Sequence, residues 1–357
     1  MIVLVKSTNI STNYRVLSLL VCSVAIATII VIPSFALPSA DGKTPSSSSK
    51  THHGKFSHSA RISGAINTTG TSNISKNNNG FINNKVVMIN FDDSYKTQML
   101  YAKPILDQYG FKATFFEVCG WVDKNSERQT WQDVAALRQD GMEIESHTMS
   151  HAHLDSVSNN TLYYELGFAK QCFANNGYQV SIFGYPNNLG SDNKTVVNVV
   201  AKYYSPARTG SSPLMFLQCD GFIKHPQTDC RTFLPNGTLS YANRYDIRSE
   251  SFDHMNSNVI FNNAQLFQQF IQRVNSQLSY NKDGTINSFP IITYHNLTYS
   301  SQSYNLLPST IMVPLFSQIM KYLYDNGFKV LTMNQLGYDT TNNIFYIKNV
   351  SSPPLHS

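Results

Sequence analysis

From Lys85 onward, short apolar runs alternate with segments in which apolar residues recur every three or four positions. Short apolar runs between turn residues are typical of buried strands, and the longer spacing is typical of helices. The runs predict strands at 86–91, 113–118, 142–145, 180–185, 289–294 and 329–332. The spacing predicts helices at 97–109, 130–139, 160–175, 193–202, 264–278 and 313–325.

Strands that alternate with helices predict βα units and therefore a parallel sheet. About six or seven such units over about 270 residues match the size of a closed or nearly closed (β/α) barrel. An open doubly-wound sheet is the alternative, and residues 205–253, which contain Pro, Gly and two cysteines, interrupt the pattern. The chain contains no Gly-x-Gly-x-x-Gly and no Walker A sequence, so a nucleotide-binding function has no support.

The start of the chain has a different character from the rest. Residues 1–36 combine Lys6 and Arg15 with an uncharged apolar run at 16–32 that is followed by small residues. This pattern is typical of a secretory signal peptide, and the run also reaches the minimum of about 17 residues that can span a bilayer as an anchor. Either interpretation predicts an extracellular or cell-surface location. Residues 37–84, rich in Ser, Thr, Asn and Gly, are predicted to be a linker, 85–340 the folded domain and 341–357 a C-terminal tail.

Charged residues make up only 14% of the chain, against about 25% in an average soluble domain. Lys and Arg number 27 and Asp and Glu 22, which gives a net charge of +5 without a long basic cluster. This composition excludes a strongly basic nucleic-acid-binding protein and a chain that is disordered through its charge.

The cysteines predict disulfides. Cys22 lies in the apolar N-terminal run, and the four that remain are an even number, as in proteins of oxidising compartments. Cys219 and Cys230 are close together in a loop-like stretch and are the favoured pair, which leaves Cys119 with Cys172.

Titratable residues follow three of the predicted strands, where the function of βα folds collects. Asp92 and Asp93 end the first apolar run, and His147 and His151 follow the third. Two histidines four positions apart share one face of a helical turn, and with one carboxylate they form an established set for a divalent transition metal. His295 follows a late strand and is a candidate general acid. The alternatives are helix N-caps for the aspartates and packed or surface positions for the histidines.

Four blocks in this order resemble the polysaccharide deacetylases, the NodB-homology group also called carbohydrate esterase family 4: "VVMINFDDSY", "GFKATFFEV", "GMEIESHTMSHAHL" and "ITYH". The resemblance covers residues 85–336 and is strongest over 85–189. It implies an α/β fold, a distorted (β/α) barrel of about seven parallel strands. It also implies metal-dependent hydrolysis of an acetyl group, usually the N-acetyl group of an amino sugar in a polysaccharide. Together with the N-terminal pattern, it predicts an exported enzyme.

Carried onto this sequence, the resemblance implies that Asp92 is the catalytic base and His295 the general acid. Asp93, His147 and His151 match the ligands of one divalent metal ion, with zinc expected and cobalt, nickel or iron as alternatives. The implied partner is an N-acetylated glycan. Nucleic acid is not expected as a partner, and a membrane is expected only if the N-terminal segment stays uncleaved.

The chain departs from the family in its third block, which usually reads Arg-Pro-Pro-Tyr-Gly. Residues 184–188 read Gly-Tyr-Pro-Asn-Asn, so the arginine that braces the catalytic aspartate is missing. On this alignment the backbone N–H of Asn187 is the candidate oxyanion donor. Arg208 or Arg244 could supply a brace from elsewhere, although a surface position is the expectation for either arginine.

The fourth block, with its Asp and Trp, is also missing. Asp246 and Asp253 are the candidates for orienting His295, and Ser94 is expected to be tolerated where the family usually has Gly. Two further hypotheses stay open. One is an O-acetyl polysaccharide esterase, and the other is a non-catalytic cell-surface glycan-binding protein on the same fold.

Overall fold

The structure is a computed structural model that describes residues 84–210, 213–217, 243–253, 262–282, 284–300, 309–342 and 344–348. The predicted signal or anchor segment, the linker up to residue 83, and Cys219 with Cys230 lie outside these ranges. Within them, no helix has both the length and the apolar character that crossing a membrane requires.

The strands are short apart from the first. In chain order they are β1 (Val86–Asp92), β2 (Thr114–Glu117), β3 (Glu143–Ser146), β4 (Phe183–Gly184), β5 (Ala207–Thr209), β6 (Met215–Phe216), β7 (Ile247–Arg248), β8 (Glu250–Ser251), β9 (Ser288–Phe289), β10 (Ile291–Tyr294), β11 (Asn296–Thr298), β12 (Thr310–Met312), β13 (Lys329–Leu331), β14 (Leu336–Asp339) and β15 (Ile344–Ile347).

Across the described ranges, nine of these strands form one parallel sheet in the order β7-β5-β4-β3-β2-β1-β10-β8, with β13 paired to the start of β1. The strands β7 and β8 lie at opposite ends of this order although only Ser249 separates them in the chain. The two edges of the sheet must therefore come together. The backbone N–H of Ser249 donates to Thr209 O of β5 at 3.0 Å, and that of Phe252 donates to Thr293 O of β10 at 2.8 Å. The predicted (β/α) barrel is confirmed in a nearly closed form, and the open sheet is excluded.

All six predicted helices are present, two of them divided. The helices are α1 (Lys103–Gln108), α2 (Trp131–Gln139), α3 (Asn159–Tyr163), α4 (Ala169–Asn175), α5 (Lys194–Tyr203), α6 (Asn263–Ser276) and α7 (Val313–Asp325). A π-helical turn at Gln98–Ala102 leads into α1, and another at Tyr164–Phe168 joins α3 to α4. Capping boxes begin α2 at Thr130 and α6 at Asn262, where side chains satisfy N–H groups that would otherwise lack partners.

The first strand separates the two layers of the core. Successive strand residues point to opposite faces, so Val87, Ile89 and Phe91 pack against the helices. Val86 and Met88 belong instead to the apolar cluster that fills the barrel interior. Asn90 and Asp92 continue this inner series, which brings a carboxylate to the end of the barrel axis.

Two regions differ from the sequence prediction. Residues 205–253 contain β5, β6, β7 and β8, which have only two or three residues each and are too short to show a hydrophobic period. In the predicted C-terminal tail, β15 pairs antiparallel with β14. Phe345 of β15 is buried, and its N–H donates to Leu217 O at 2.8 Å, so these residues belong to the domain.

Candidate active site and metal centre

The predicted site residues meet at the C-terminal edge of the barrel. Asp92 ends β1 and Asp93 follows it, while His147 directly follows β3 and His295 directly follows β10. The strands β10, β1, β2 and β3 are neighbours and run parallel, so their C-terminal ends share one edge of the sheet. His151 reaches the same place from the loop after His147.

Asp93, His147 and His151 form a group whose ligand atoms all lie within 4.8 Å of one another. Asp93 Oδ1 is 3.5 Å from His147 Nε2 and 3.1 Å from His151 Nε2. His147 Nδ1 lies 2.8 Å from the carbonyl oxygen of Gly184. Because a carbonyl can only accept, Nδ1 carries the proton and donates it, which leaves the Nε2 lone pair facing the group.

The protonation states suit a metal. Burial disfavours the imidazolium form and lowers the pKa of His147 to about 4, so this ring is neutral at pH 7. Burial alone would raise the pKa of Asp93, but the adjacent His151 and the positive charge of His295 outweigh burial and lower that pKa. The buried Oδ1 of Asp93 accepts no well-aligned hydrogen bond from any residue that the structure describes. A divalent cation would satisfy this oxygen, and one carboxylate with two imidazoles is a donor set that fits a transition metal.

Arg208 braces Asp92. It is 1% exposed, and its Nη2 lies 2.7 Å from both carboxylate oxygens of Asp92. Its Nη1 donates to Ser249 Oγ and Thr293 Oγ1, and the guanidinium lies over the Phe116 ring at 4.5 Å. The expected surface position was wrong for Arg208, because β5 directs its side chain into the barrel.

Gly184 makes room for this brace. A Cβ on Gly184 would lie 2.7 Å from Arg208 Nη2 and 3.1 Å from His147 Nδ1. Real Cβ atoms do not approach other heavy atoms as closely as the first of these distances. The glycine at the start of the degenerate third block is therefore required by the guanidinium that replaces the missing arginine.

His295 is oriented by Asp253. The ring Nδ1 lies 2.5 Å from Asp253 Oδ2, and the backbone N–H of His295 donates to Oδ1 at 3.3 Å. Burial alone would lower the pKa of His295, but the charge and the hydrogen bond of Asp253, with smaller effects of Asp93 and Asp92, raise it to about 9. The other candidate, Asp246, instead pairs with Arg248 at 2.7 Å.

Three loops of the site hold strained backbone. Among the described residues, eight non-glycine residues have a positive φ, and six of them lie in these loops. They are Asp93, Ser94, Thr148, His151, Asn187 and Asn188. Strain of this kind costs about 1–3 kcal/mol per residue and is concentrated at functional sites.

Ser94 and Asn187 illustrate two of these loops. The hydroxyl of Ser94 accepts a hydrogen bond from the Val118 N–H at 2.9 Å, which offsets the cost of replacing the family's glycine. Asn187 is exposed with φ 53° directly after Pro186, and its role as oxyanion donor stays a prediction.

An aromatic wall beside the metal group was not predicted. Trp121 stacks on the His151 ring with centroids 5.2 Å apart. The guanidinium of Arg128 lies between the rings of Trp121 and Tyr95, at 4.2 and 4.3 Å, and its Nη1 donates to Asp93 O at 2.5 Å. Trp121 and Arg128 lie outside the family-like blocks, so their contacts with the metal group could not be deduced from the sequence.

The predicted bond between Cys119 and Cys172 is confirmed, with an S–S distance of 1.98 Å. The favoured pair, Cys219 with Cys230, lies outside the described residues. The confirmed disulfide joins the short helical turn after β2 to α4, directly behind the loop that carries the two metal-group histidines.

A parallel barrel with a carboxylate–histidine cluster at the C-terminal ends of its strands defines a barrel enzyme with a site for a metal ion. The polysaccharide deacetylase family model matches residues 81–205, so the resemblance to that family is confirmed over this part of the chain. YxkH of Bacillus subtilis (strain 168), whose name places it among the polysaccharide deacetylases, is 32% identical over 119 residues. The match covers 33% of this chain and 42% of that relative, so the chain spans less than half of its length.

Solved structures with detectable similarity include two deacetylase-type proteins. One is the Xyl-CE4 domain of a multidomain xylanase from the hindgut metagenome of Trinervitermes trinervoides, at 21% identity and a TM-score of 0.41, covering 70% of this chain and 88% of that one. The other is the Streptococcus pyogenes deacetylase PplD in complex with acetate, at 26% identity and a TM-score of 0.33, covering 35% and 55%. The strand order, rather than these TM-scores, defines the fold.

Proposed function

We propose that the protein is an exported, metal-dependent hydrolase that removes N-acetyl groups from amino-sugar residues of a polysaccharide or oligosaccharide. One observation carries the proposal. A single edge of the barrel brings together a braced carboxylate, a group of metal ligands and a carboxylate-oriented histidine. These are the parts that hydrolysis of an unactivated amide requires.

The metal would be held by Asp93, His147 and His151. When bound, it would polarise the acetyl carbonyl and lower the pKa of a water molecule in the site. Zinc suits this donor set, and cobalt, nickel or iron are alternatives.

Asp92 acts as the base that accepts the proton of the attacking water. Arg208 keeps this carboxylate in place through bonds to both of its oxygens. The backbone N–H of Asn187 is the proposed donor to the oxyanion.

His295 then protonates the departing amine. Asp253 accepts a hydrogen bond from the Nδ1–H of the ring, and the opposite nitrogen, Nε2, carries the proton that can be transferred. With a pKa raised to about 9, His295 is an imidazolium at neutral pH and serves as an acid without prior protonation.

The same histidine favours an N-acetyl over an O-acetyl substrate. An amine leaves poorly unless it is protonated, whereas an ester makes less demand on the acid. A buried imidazolium held by its own carboxylate is therefore more useful for an amide than for an ester. An O-acetyl polysaccharide esterase is the competing outcome of the substrate test below.

The hypothesis of a non-catalytic glycan-binding protein was motivated by the degenerate third and fourth blocks. Arg208 and Asp253 take the places of the two missing charged partners, so the degeneracy no longer argues for a lost activity. Export is proposed from the N-terminal pattern of residues 1–36, and the disulfide between Cys119 and Cys172 agrees with an oxidising compartment.

The test is acetate release from N-acetylglucosamine oligomers by the purified protein, with a chelator and with added zinc. We expect release that the chelator abolishes and zinc restores. Asp93→Asn and His147→Ala should lose both bound metal and activity, whereas Asp246→Asn, away from the group, should keep both. Release only from O-acetylated glycans would support the esterase, and full activity of His147→Ala without metal would refute the mechanism.

A further inference from the structure

The loop between the two histidines of the metal group is strained and needs external support. Thr148 and His151 are non-glycine residues with φ values of 74° and 64°. Left-handed residues of this kind persist only when the surrounding structure fixes them. Within the loop, the His151 N–H donates to Thr148 Oγ1 at 2.8 Å, which holds the second histidine to the residue that follows the first.

Glu165 supplies support from one side of this loop. It belongs to the π-helical turn between α3 and α4 and is 1% exposed. Its Oε2 accepts the Ser150 N–H at 2.8 Å and the Met149 N–H at 3.2 Å, and its Oε1 accepts the Ser150 hydroxyl at 2.5 Å. Its backbone carbonyl also accepts the Met149 N–H at 3.1 Å. Every one of these donors belongs to the loop.

The carboxylate of Glu165 has no cationic partner in the part of the chain that the structure describes. A buried carboxylate is costly unless its oxygens are hydrogen-bonded. Within the described ranges, the hydrogen bonds that offset this cost all come from the loop, so the placement of Glu165 stabilises one conformation of the loop.

The opposite side of the loop is fixed by the turn after β2. The N–H groups of Cys119 and Gly120 donate to Thr148 O at 3.1 Å and Met149 O at 2.9 Å. A Cβ on Gly120 would lie 2.6 Å from Met149 O, so only glycine permits this approach. The disulfide to Cys172 then ties this turn to α4, which continues the helical segment that carries Glu165.

We propose that Glu165 is a positioning residue for the metal, which acts by holding the 147–151 loop in the conformation that directs both histidines at the ion. This inference rests on the metal centre of the proposed function. Residues that orient metal ligands from behind change metal affinity by about 10–100-fold when they are removed, and we expect a loss of that size for Glu165→Ala.

The experiment measures zinc binding by the metal-free protein in competition with a chromophoric chelator, together with the absorption spectrum of the cobalt-loaded protein. Glu165→Ala should bind zinc about 10–100-fold more weakly and alter the cobalt spectrum. Glu165→Gln should recover most of the affinity, because its carbonyl oxygen can accept the two N–H groups while its NH₂ donates to the Ser150 hydroxyl. Ser150→Ala, at an exposed position, should fold normally and show a smaller loss.

Glu143→Ala is the matched control. Glu143 is also buried and also accepts a backbone N–H and a hydroxyl, from Asn334 and Thr114, but it does not contact the loop. Glu143→Ala should lower the unfolding temperature without changing the zinc affinity. A loss of zinc affinity in Glu165→Ala then cannot be explained by a general loss of stability.

Each outcome is decisive. If Glu165→Ala and Ser150→Ala bind zinc as tightly as the wild-type protein, the positioning role is wrong while the metal centre stands. If the wild-type protein binds no metal, the metal centre and this inference are both wrong. Should Glu165→Ala not fold, Ser150→Ala decides the question, and an unchanged affinity in that variant overturns the proposal.

Discussion

The pair formed by Asp253 and His295 permits a quantitative test, through the variant Asp253→Asn. The substitution keeps the size of the side chain and removes its charge. The ordinary pKa of histidine is 6.5, and in this site the pKa of His295 is raised to about 9, chiefly by Asp253 against the effect of burial. Without that charge the pKa should fall by about 2.5 units or more, because burial, the largest influence on this group, then opposes only the smaller effects of Asp93 and Asp92.

The consequence depends on pH in a defined direction. His295 must be protonated to act as an acid, so activity is lost as pH rises through its pKa. At pH 8, an acid with a pKa of about 9 is roughly 90% protonated, whereas one with a pKa of 6.5 is roughly 3% protonated. We therefore expect kcat/KM of Asp253→Asn to be at least about 30-fold lower at pH 8 and to recover towards the wild-type value as the pH falls to 6 and below.

The assay is acetate release at saturating zinc over pH 5.5–9.5. Asp246→Asn is the matched control, because it removes a carboxylate that pairs with Arg248 instead of His295. Asp246→Asn should leave the apparent pKa of the alkaline decrease in kcat/KM unchanged. An alkaline limb that coincides in Asp253→Asn and the wild-type protein would refute the assignment of His295 as the acid that Asp253 holds charged.

Two further predictions concern the brace and the disulfide. Arg208→Met removes the bonds to both oxygens of Asp92 and should lower kcat by about 100-fold, equivalent to about 3 kcal/mol. The control variant Arg244→Met should stay near the wild-type rate. Equal rates for the two variants would contradict the role of Arg208 as a brace. Replacing Cys119 and Cys172 by serine opens a loop with a sequence separation of 53. The free energy of unfolding, measured by urea titration, should fall by about 4 kcal/mol. Reduction of the disulfide in the wild-type protein should reproduce this loss.

The sequence was sufficient to predict the residues that follow recognisable strands. Asp92, His147 and His295 each follow an apolar run, and parallel strands bring their C-terminal ends to one edge whatever their separation in the chain. The barrel and the metal group were predictable for this reason, since each depends on local patterns and one topological rule.

The partners of these residues were less predictable. Arg208 and Asp253 lie in or beside strands of two or three residues, where no hydrophobic period can develop. Both were recognised as candidates, but sequence offered no means of choosing Asp253 over Asp246 or of burying Arg208. The role of Glu165 was even harder to predict, because a glutamate in a helical segment is ordinarily solvated. Only the fold places Glu165 behind the 147–151 loop.

The missing arginine of the third block has a geometric explanation that can be tested. Gly184, where the family has arginine, is paired in register with Arg208 on the adjacent strand. Moving the side chain from one strand to its neighbour keeps the guanidinium at the same height in the barrel, where it reaches Asp92. The two positions exclude each other, because a Cβ at 184 would collide with Arg208 Nη2 at 2.7 Å.

We therefore expect the exchange to be reversible in part. Arg208→Ala should be nearly inactive, and Gly184→Arg alone should be destabilised by the collision. The double variant Gly184→Arg/Arg208→Ala should recover activity over Arg208→Ala, although His147 Nδ1 and the Phe116 ring, each 3.1 Å from the new Cβ, must shift slightly. The measurements are kcat/KM and zinc affinity, the latter because His147 belongs to the metal group. A double variant that binds zinc and folds but is no more active than Arg208→Ala would show that the strand of origin matters, and not only the position of the charge.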